Sequence, residues 1–341
     1  MLNSPLIYAM LANVIRYSFC RVADDMIDNS KDGEEANRNT SKLTKFLDLA
    51  YANQGSSKKE VSEYVSKNFP PGSHSALLLL PTHIISSKPL YSLLEGFETD
   101  SLFSISKGTN FPIETEEDLH QYGYRVAGTV AEMVLELCCH HTAANISSKQ
   151  RENLVHAGGD MGIALQYVNI ARDIATDSAM NRVYLPRTWL EGEDLTTEDV
   201  LKMSPKKKAN ISALRTRLLN KAFDLYLGAR PTMEQLPPES RGPLRVAIES
   251  YMEIGRILQE RGPTAKFKGT TKATVPVLRR LVVAWKAMSR SVTSIPVKQL
   301  ESVFSNNSSA KGRIVMPEKQ PPKTAIVVGE LMQAKIMTRC L

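Results

Sequence analysis

Apolar residues along this chain recur at helical spacing, with short polar or proline-containing breaks between them. From about Pro5 to Asp28 the apolar positions suit a helix, and Lys42–Tyr51 is a second amphipathic segment, after which Pro70-Pro71-Gly72 interrupts the pattern. Leu90–Asp100 is again helical. Thr115 followed by Glu116-Glu117-Asp118 has the chemistry of a helix start, a hydroxyl cap with acidic residues in the first turn, and predicts a long helix through Leu137. Arg151–Asp177 predicts another long helix and Asn181–Gly192 an irregular stretch. Lys207–Ala229, Arg241–Gln259 and Val275–Met288 complete the series. No run alternates with period two and no internal repeat appears, so the expected class is all-α. Beyond Pro296 the chain turns polar and broken (NNSSAKGR, then EKQPPK). The expectation is therefore one helical domain over residues 1–295 and a loosely structured tail over 296–341.

Two ladders of carboxylates interrupt this pattern. Asp24-Asp25-x-x-Asp28 lies in CRVADDMID, and Asp173-x-x-x-Asp177 in YVNIARDIATD, with Asn169 one turn earlier. Residues four apart share a helix face, so Asp24/Asp28 and Asn169/Asp173/Asp177 form two oxygen-bearing stripes, while Asp25 projects elsewhere. Stacked like charges cost a helix roughly 0.2–0.5 kcal/mol per pair, and considerably more when buried. A cation is expected between the stripes. Hard oxygen donors in small number suit Mg²⁺ better than zinc, with phosphate oxygens and water completing the shell. An isolated acidic pair of this spacing is most often a solvated face. Here each ladder is flanked by apolar residues and by an arginine, Arg21 or Arg172, which serves as charge compensation or as a planar fork for phosphate.

The stretch YGYRVAGTVAEMVLEL places Ala127-Gly128 inside a helix, where glycine costs about 1 kcal/mol relative to alanine. Something approaches the backbone closely there, either a neighbouring helix or a flexible substrate. Tyr122, Val126 and Val130 share one stripe, which suits an apolar tunnel wall and equally a packed core.

Composition narrows the classes further. Of 341 residues, 42% are hydrophobic and 23% charged, which excludes global disorder. The formal charge of +7 fits an anionic substrate or membrane surface, and no nucleic-acid motif accompanies it. The cysteines Cys20, Cys138, Cys139 and Cys340 lack metal spacing, and the adjacent pair reads as core thiols in a reducing setting. The longest aliphatic run, Ala76–Leu80, stops at Pro81, short of the roughly 20 residues a spanning helix needs. With no signal-peptide pattern either, the expected placement is intracellular, cytoplasmic or peripheral to a membrane.

Three stretches together carry a family resemblance: YSFCRVADDMID (17–28), YGYRVAGTVAE (122–132) and GIALQYVNIARDIATDSAMNRVYLP (162–186), with weaker support from YMEIGRILQERG (251–262) and TVPVLRRLVVAW (274–285). The chain resembles the squalene/phytoene synthase family, its fungal phytoene synthase members most closely. The resemblance implies an all-α isoprenoid synthase bundle with a central apolar cavity. Asp24, Asp28, Asp173 and Asp177 then match the two Mg²⁺-binding motifs, with Mn²⁺ as a substitute, and Gln166 and Asn169 match polar residues beside the second. Arg21, Arg172 and Arg182 match diphosphate-contacting arginines. Tyr17 matches the tyrosine implicated in proton removal, Tyr122 and Tyr251 match pocket tyrosines, and Tyr184 belongs to the RxYLP flap.

The implied reaction joins two geranylgeranyl diphosphates head to head into phytoene, without NADPH. Squalene or dehydrosqualene synthesis, a single-substrate terpene synthase and a non-catalytic assembly relative are the alternatives. Two departures stand out. The residues before Tyr17 lack the serine-rich S-x-S-F segment found upstream in family members, and Ala131 stands where many have glycine. Nor does any part of the chain read as the membrane cyclase domain that precedes the synthase in fungal bifunctional proteins.

Overall fold

Helices account for nearly all of the regular structure, and most begin where side-chain chemistry caps them. The computed structural model describes residues 19–52, 58–105, 111–142, 145–262 and 275–289. Tyr17, the expected helix before Phe19, the boundary at 295 and the tail 296–341 lie outside the described residues. Among those described, no strand occurs. No helix among them is long and apolar enough to cross a membrane.

Helix α1 (Phe19–Asp28) carries the first ladder. Helix α2 (Gly33–Ala50) starts well before the expected Lys42, because the Asp32 side chain caps it by accepting from the Glu35 N–H. Helix α3 (Lys58–Asn68) and the short α4 (His74–Leu78) follow, the former missed by the periodicity because only Val65 of it is buried. Helix α5 spans Ser87–Ile105.

The long helix expected from Thr115 to Leu137 is broken into three parts. Thr115 and Asp118 form a reciprocal capping box that opens α6 (Glu116–Gly123). One turn of π-helix follows (Tyr124–Gly128), in which the Thr129 N–H reaches back to the Tyr124 carbonyl, and α7 (Thr129–His140) continues. The next helix, α8 (Ser148–Ala179), crosses here. A Cβ on Gly162 would sit 2.5 Å from the Ala127 carbonyl oxygen and 2.8 Å from Gly128 Cα. The small residues of the sequence therefore admit a neighbouring helix.

Helix α8 is the centre of the bundle. Every residue from 161 to 172 is buried, and α7, α11, α12, α6 and the π turn all pack against it. The expected irregular stretch Asn181–Gly192 is corrected in part: behind Pro186 a short helix α9 (Arg187–Gly192) forms, burying Trp189 and Leu190. Helix α10 (Thr197–Leu201) has its own capping box from Thr196 and Asp199. Helices α11 (Lys208–Met233), α12 (Pro238–Glu260) and α13 (Val277–Ser289) match the remaining expectations within a few residues.

The buried side chains fall into two clusters. One gathers around α8, α11 and α12 and includes Tyr122, Val126, Ala127 and Tyr251. The other is built by α1, α2 and α5. Helix α7 divides them, giving Leu135 and Cys139 to the first and Val130, Met133 and Leu137 to the second. The stripe Tyr122/Val126/Val130 is thus shared between two cores. Cys20, Cys138 and Cys139 are buried.

Glycine at two neighbouring positions of α8 separates backbone crowding from side-chain crowding. At Gly158 an added Cβ meets the end of the Leu135 side chain, which can turn away, whereas at Gly162 it meets backbone. Gly162→Ala is expected to cost about 1–3 kcal/mol, and Gly158→Ala distinctly less, as read from urea midpoints at unchanged slope. Equal stability of Gly162→Ala and the parent chain would remove the close crossing as the reason for this glycine.

Candidate active site

Along the buried part of the second ladder, Gln166, Asn169, Arg172 and Asp173 find partners in one another and in Tyr251. The Arg172 guanidinium meets Asp173 through two bonds, Nε to Oδ1 at 2.9 Å and Nη2 to Oδ2 at 2.5 Å. Its Nη2 also donates to Asn169 Oδ1. The Tyr251 hydroxyl, brought by α12, donates to the same Asn169 oxygen at 2.8 Å, and Arg172 Nη1 lies 3.5 Å from that hydroxyl. Asn169 Nδ2 donates to Gln166 Oε1 at 3.5 Å. Burial opposes the charge on Arg172, but the bond to Asp173 outweighs it and holds the guanidinium protonated. Burial pushes Tyr251 up to about 12, so it acts as a neutral donor. Of the two roles open to Arg172 in the sequence, this structure shows it compensating the carboxylate beside it.

The end of α8 is shaped by Asn181. Its φ of 58° is the left-handed conformation that asparagine tolerates better than most residues. The Arg182 N–H returns to the Asp177 carbonyl at 2.8 Å, and the Asn181 N–H to that of Ser178 at 3.0 Å, a Schellman stop. The chain reverses, and Arg182 comes under the influence of Asp177, Asp28 and Asp100 together. The sequence expected a cation between the stripes, and Arg182 is a positive group felt by a carboxylate of each, Asp28 and Asp177.

Asp100, on α5, was not among the expected site residues. It accepts hydrogen bonds from both Tyr122 (3.0 Å) and Tyr184 (2.8 Å). The two tyrosine rings stack with centroids 5.1 Å apart, and Phe103 meets Tyr184 edge-on at 4.9 Å. Burial raises the Asp100 carboxyl, while Arg182 and the two hydroxyls pull it back down. A signal existed in the sequence. Asp100 falls midway between Phe97 and Phe103, both buried, on the apolar stripe of α5, where a carboxylate without a designated partner is out of place.

On the first ladder Asp24 is buried and Asp28 exposed. Arg21 contacts Asp24 at 3.5 Å and Asp25 at 2.6 Å, so it too serves carboxylates of its own helix. Asp25 is half-exposed. Among the described residues no three Asp, Glu, His or Cys side chains converge closely enough to hold a metal ion by themselves. The negative charge is nevertheless under-compensated. Burial pushes the Asp177 carboxyl up to about 8, Asp173 and Asp100 add to the rise, and Arg182 and Arg172 only partly offset it.

Two expectations follow. An acid whose pKa is raised by folding keeps its proton after the unfolded chain has lost it, so stability falls as pH rises between the two values. Without divalent cations, the parent chain should lose stability from about pH 5 to about pH 8 more steeply than Asp177→Asn, as measured by thermal unfolding. Parallel curves would show that Asp177 does not hold the proton. Separately, Asp100→Ala should cost about 1–3 kcal/mol by stranding two tyrosine hydroxyls, and less in a Tyr122→Phe/Tyr184→Phe background. Additive losses in that double-mutant cycle would deny the coupling.

Comparison with known proteins adds a second line. A family model described as squalene/phytoene synthase matches residues 12–280. A bifunctional lycopene cyclase/phytoene synthase of Gibberella fujikuroi is 50% identical over 275 residues, covering 80% of this chain and 46% of that protein. Its counterpart in Phaeosphaeria nodorum is 49% identical over 280 residues, covering 82% and 46%. The chain thus spans about half the length of the curated relatives it matches. Among solved structures, a ligand-bound dehydrosqualene synthase aligns with a TM-score of 0.60 at 21% identity, covering 83% of this chain and 86% of the other. A squalene synthase from Alicyclobacillus acidocaldarius aligns with a TM-score of 0.52 at 21% identity, covering 72% and 80%. At that identity these two speak for a shared all-α isoprenoid synthase fold. Two acidic ladders on packed helices, a match to the family model over most of the length and relatives identical at about half of the aligned residues lead to one assignment: the chain belongs to the squalene/phytoene synthase family.

Proposed function

We propose that this chain is a prenyltransferase that condenses two geranylgeranyl diphosphates head to head, through a cyclopropylcarbinyl diphosphate, to phytoene, the entry to carotenoid synthesis. The observation that carries the reading is the sharing of half of 275 aligned residues with a protein whose name includes phytoene synthase. The relatives' names favour phytoene over squalene or dehydrosqualene as product. On this reading residues 1–295 form the catalytic domain and 296–341 an appended segment.

The donor chemistry fits a hard divalent cation. Asp24, Asp28, Asn169, Asp173 and Asp177 offer only oxygen, and the raised Asp177 carboxyl marks a place short of positive charge. Because the carboxylates do not converge on their own, diphosphate oxygens would complete the coordination of Mg²⁺, or of Mn²⁺ in its place. The bound ions would neutralise the departing diphosphate and so assist ionisation of the allylic C–O bond.

The chain's own residues account for the rest. Arg182, between the ladders, is placed to receive diphosphate oxygens, and Arg21 and Arg172 can exchange their carboxylate partners for phosphate once cations occupy the ladders. Gln166 and Tyr251 orient Asn169 and Arg172. Asp100 fixes Tyr122 and Tyr184, and with them the RVYLP segment over the second ladder. Val126, Ala127 and Val130 sit in apolar surroundings, so a prenyl chain passing them would be shielded from the water that quenches carbocations. Tyr17 is the assigned proton acceptor, and proton loss rather than hydride transfer ends the reaction, so NADPH has no part in it.

The deciding experiment is a product assay with Mg²⁺ and geranylgeranyl or farnesyl diphosphate, with and without NADPH, read by mass spectrometry. A C40 hydrocarbon formed from the C20 substrate independently of NADPH is expected. Asp173→Ala should lower its rate by on the order of 100-fold or more, with helical content unchanged. A product from a single substrate molecule, or none from either substrate, would overturn the assignment.

A further inference from the structure

Helix α13 has one side bound to the bundle and another facing solvent, and the second is unlike any other part of the described surface. Its inner side is fixed to α12. Arg279 pairs with Glu260 (2.7 and 2.6 Å) and with Glu253, Arg245 Nη1 donates to the Ala287 carbonyl at 3.1 Å, and Ala287 is buried. Its outer side carries Val277, Leu278, Leu281, Val282, Trp285 and Met288. These are six of the eleven large hydrophobics exposed among the described residues, all on one 13-residue helix, with Leu278 at 78% and Trp285 at 69% exposure. At about 100° per residue the six fall within an arc of about 140°. Lys286 lies about 40° beyond one edge of that arc and Arg280 about 60° beyond the other.

We propose that this face of α13 docks the protein in plane on an anionic lipid surface. Two cations bordering an apolar arc that contains tryptophan and leucine is the arrangement of a helix lying at the headgroup boundary. The cations would meet lipid phosphates while the apolar residues enter the layer beneath, and the positive charge of the whole chain, +7, acts in the same direction. No described helix is long and apolar enough to cross a membrane, and the apolar arc runs along one side of α13, which suits an in-plane orientation. The exposed residues lie along one side of a single helix. A fluid lipid surface accommodates such a stripe directly, whereas a protein partner needs a matching groove. A second copy fits poorly, because two-fold pairing of this face would bring the Arg280 and Lys286 edges of two positively charged chains together. The preference for lipid also rests on the proposed reaction, whose substrates and product are lipids. Binding is therefore read without turnover, so that the two readings can fail separately.

The test uses the full chain with sedimenting vesicles of phosphatidylcholine, with and without phosphatidylserine. Binding should be stronger to the anionic vesicles, with a blue shift in tryptophan emission from Trp285, since Trp189 is buried. Leu278→Asp/Leu281→Asp should weaken binding at least about tenfold at unchanged unfolding midpoint, and the milder Leu281→Ser should weaken it less. Arg280→Glu/Lys286→Glu should bring anionic binding toward the level on neutral vesicles. The proposal is overturned by undiminished binding of the leucine variants, by a parent dimer that those variants dissolve, or by an emission from Trp285 that is already shielded in the lipid-free monomer and unmoved by vesicles.

Discussion

A helix enclosed by other helices must find partners for its polar side chains inside the protein, and α8 carries Gln166, Asn169, Arg172, Asp173 and Asp177 along such a path. Much of the architecture answers that demand. Helix α12 brings the Tyr251 hydroxyl to Asn169, the reversal at Asn181 brings Arg182 beneath Asp177, and α5 supplies Asp100 to anchor the tyrosines over the same region. The close approach of α8 to Ala127-Gly128, possible because position 162 has no side chain, keeps these groups within reach of one another. The arrangement satisfies hydrogen bonds more completely than it balances charge. On the proposed reading, a divalent cation would relieve that residual imbalance.

Much of this was legible in the sequence, for identifiable reasons. The ladders and long helices depend on spacings of three and four, which survive in any view of the chain, and the threonine cap at Thr115 depends on chemistry local to three residues. What escaped required knowledge of neighbours. Helix α3 buries one residue and so has almost no apolar period to detect. The start of α2 depends on a cap at Asp32 that lies ahead of a polar turn. Asp100 stands out as a carboxylate on an apolar stripe, but its two partners lie 22 and 84 residues away, so the sequence marks the position without its role. The tunnel stripe was readable as a set of residues but not as a position, since Val130 belongs to a different core from Tyr122.

On the proposed reading, the raised Asp177 carboxyl would link metal to protons: a carboxyl that holds a proton near neutral pH would release it to a binding cation, so occupancy and acidity would become one variable. Arg172, by contrast, stays charged in either state, and its movement between Asp173 and a phosphate would be a change of partner alone.

The π turn at Tyr124–Gly128 works as a phase shifter. An extra residue in a helical turn rotates everything beyond it by about 100° relative to an uninterrupted helix. That rotation sets which side chains of α7 face α8 and which face α1 and α5, and it lets one continuous stretch wall off two cores of different composition. The length of this segment is therefore a register rather than a spacer. Removing one residue between Tyr124 and Gly128 would leave nearly every local helix preference intact, yet exchange the inward and sideways faces of the twelve residues that follow.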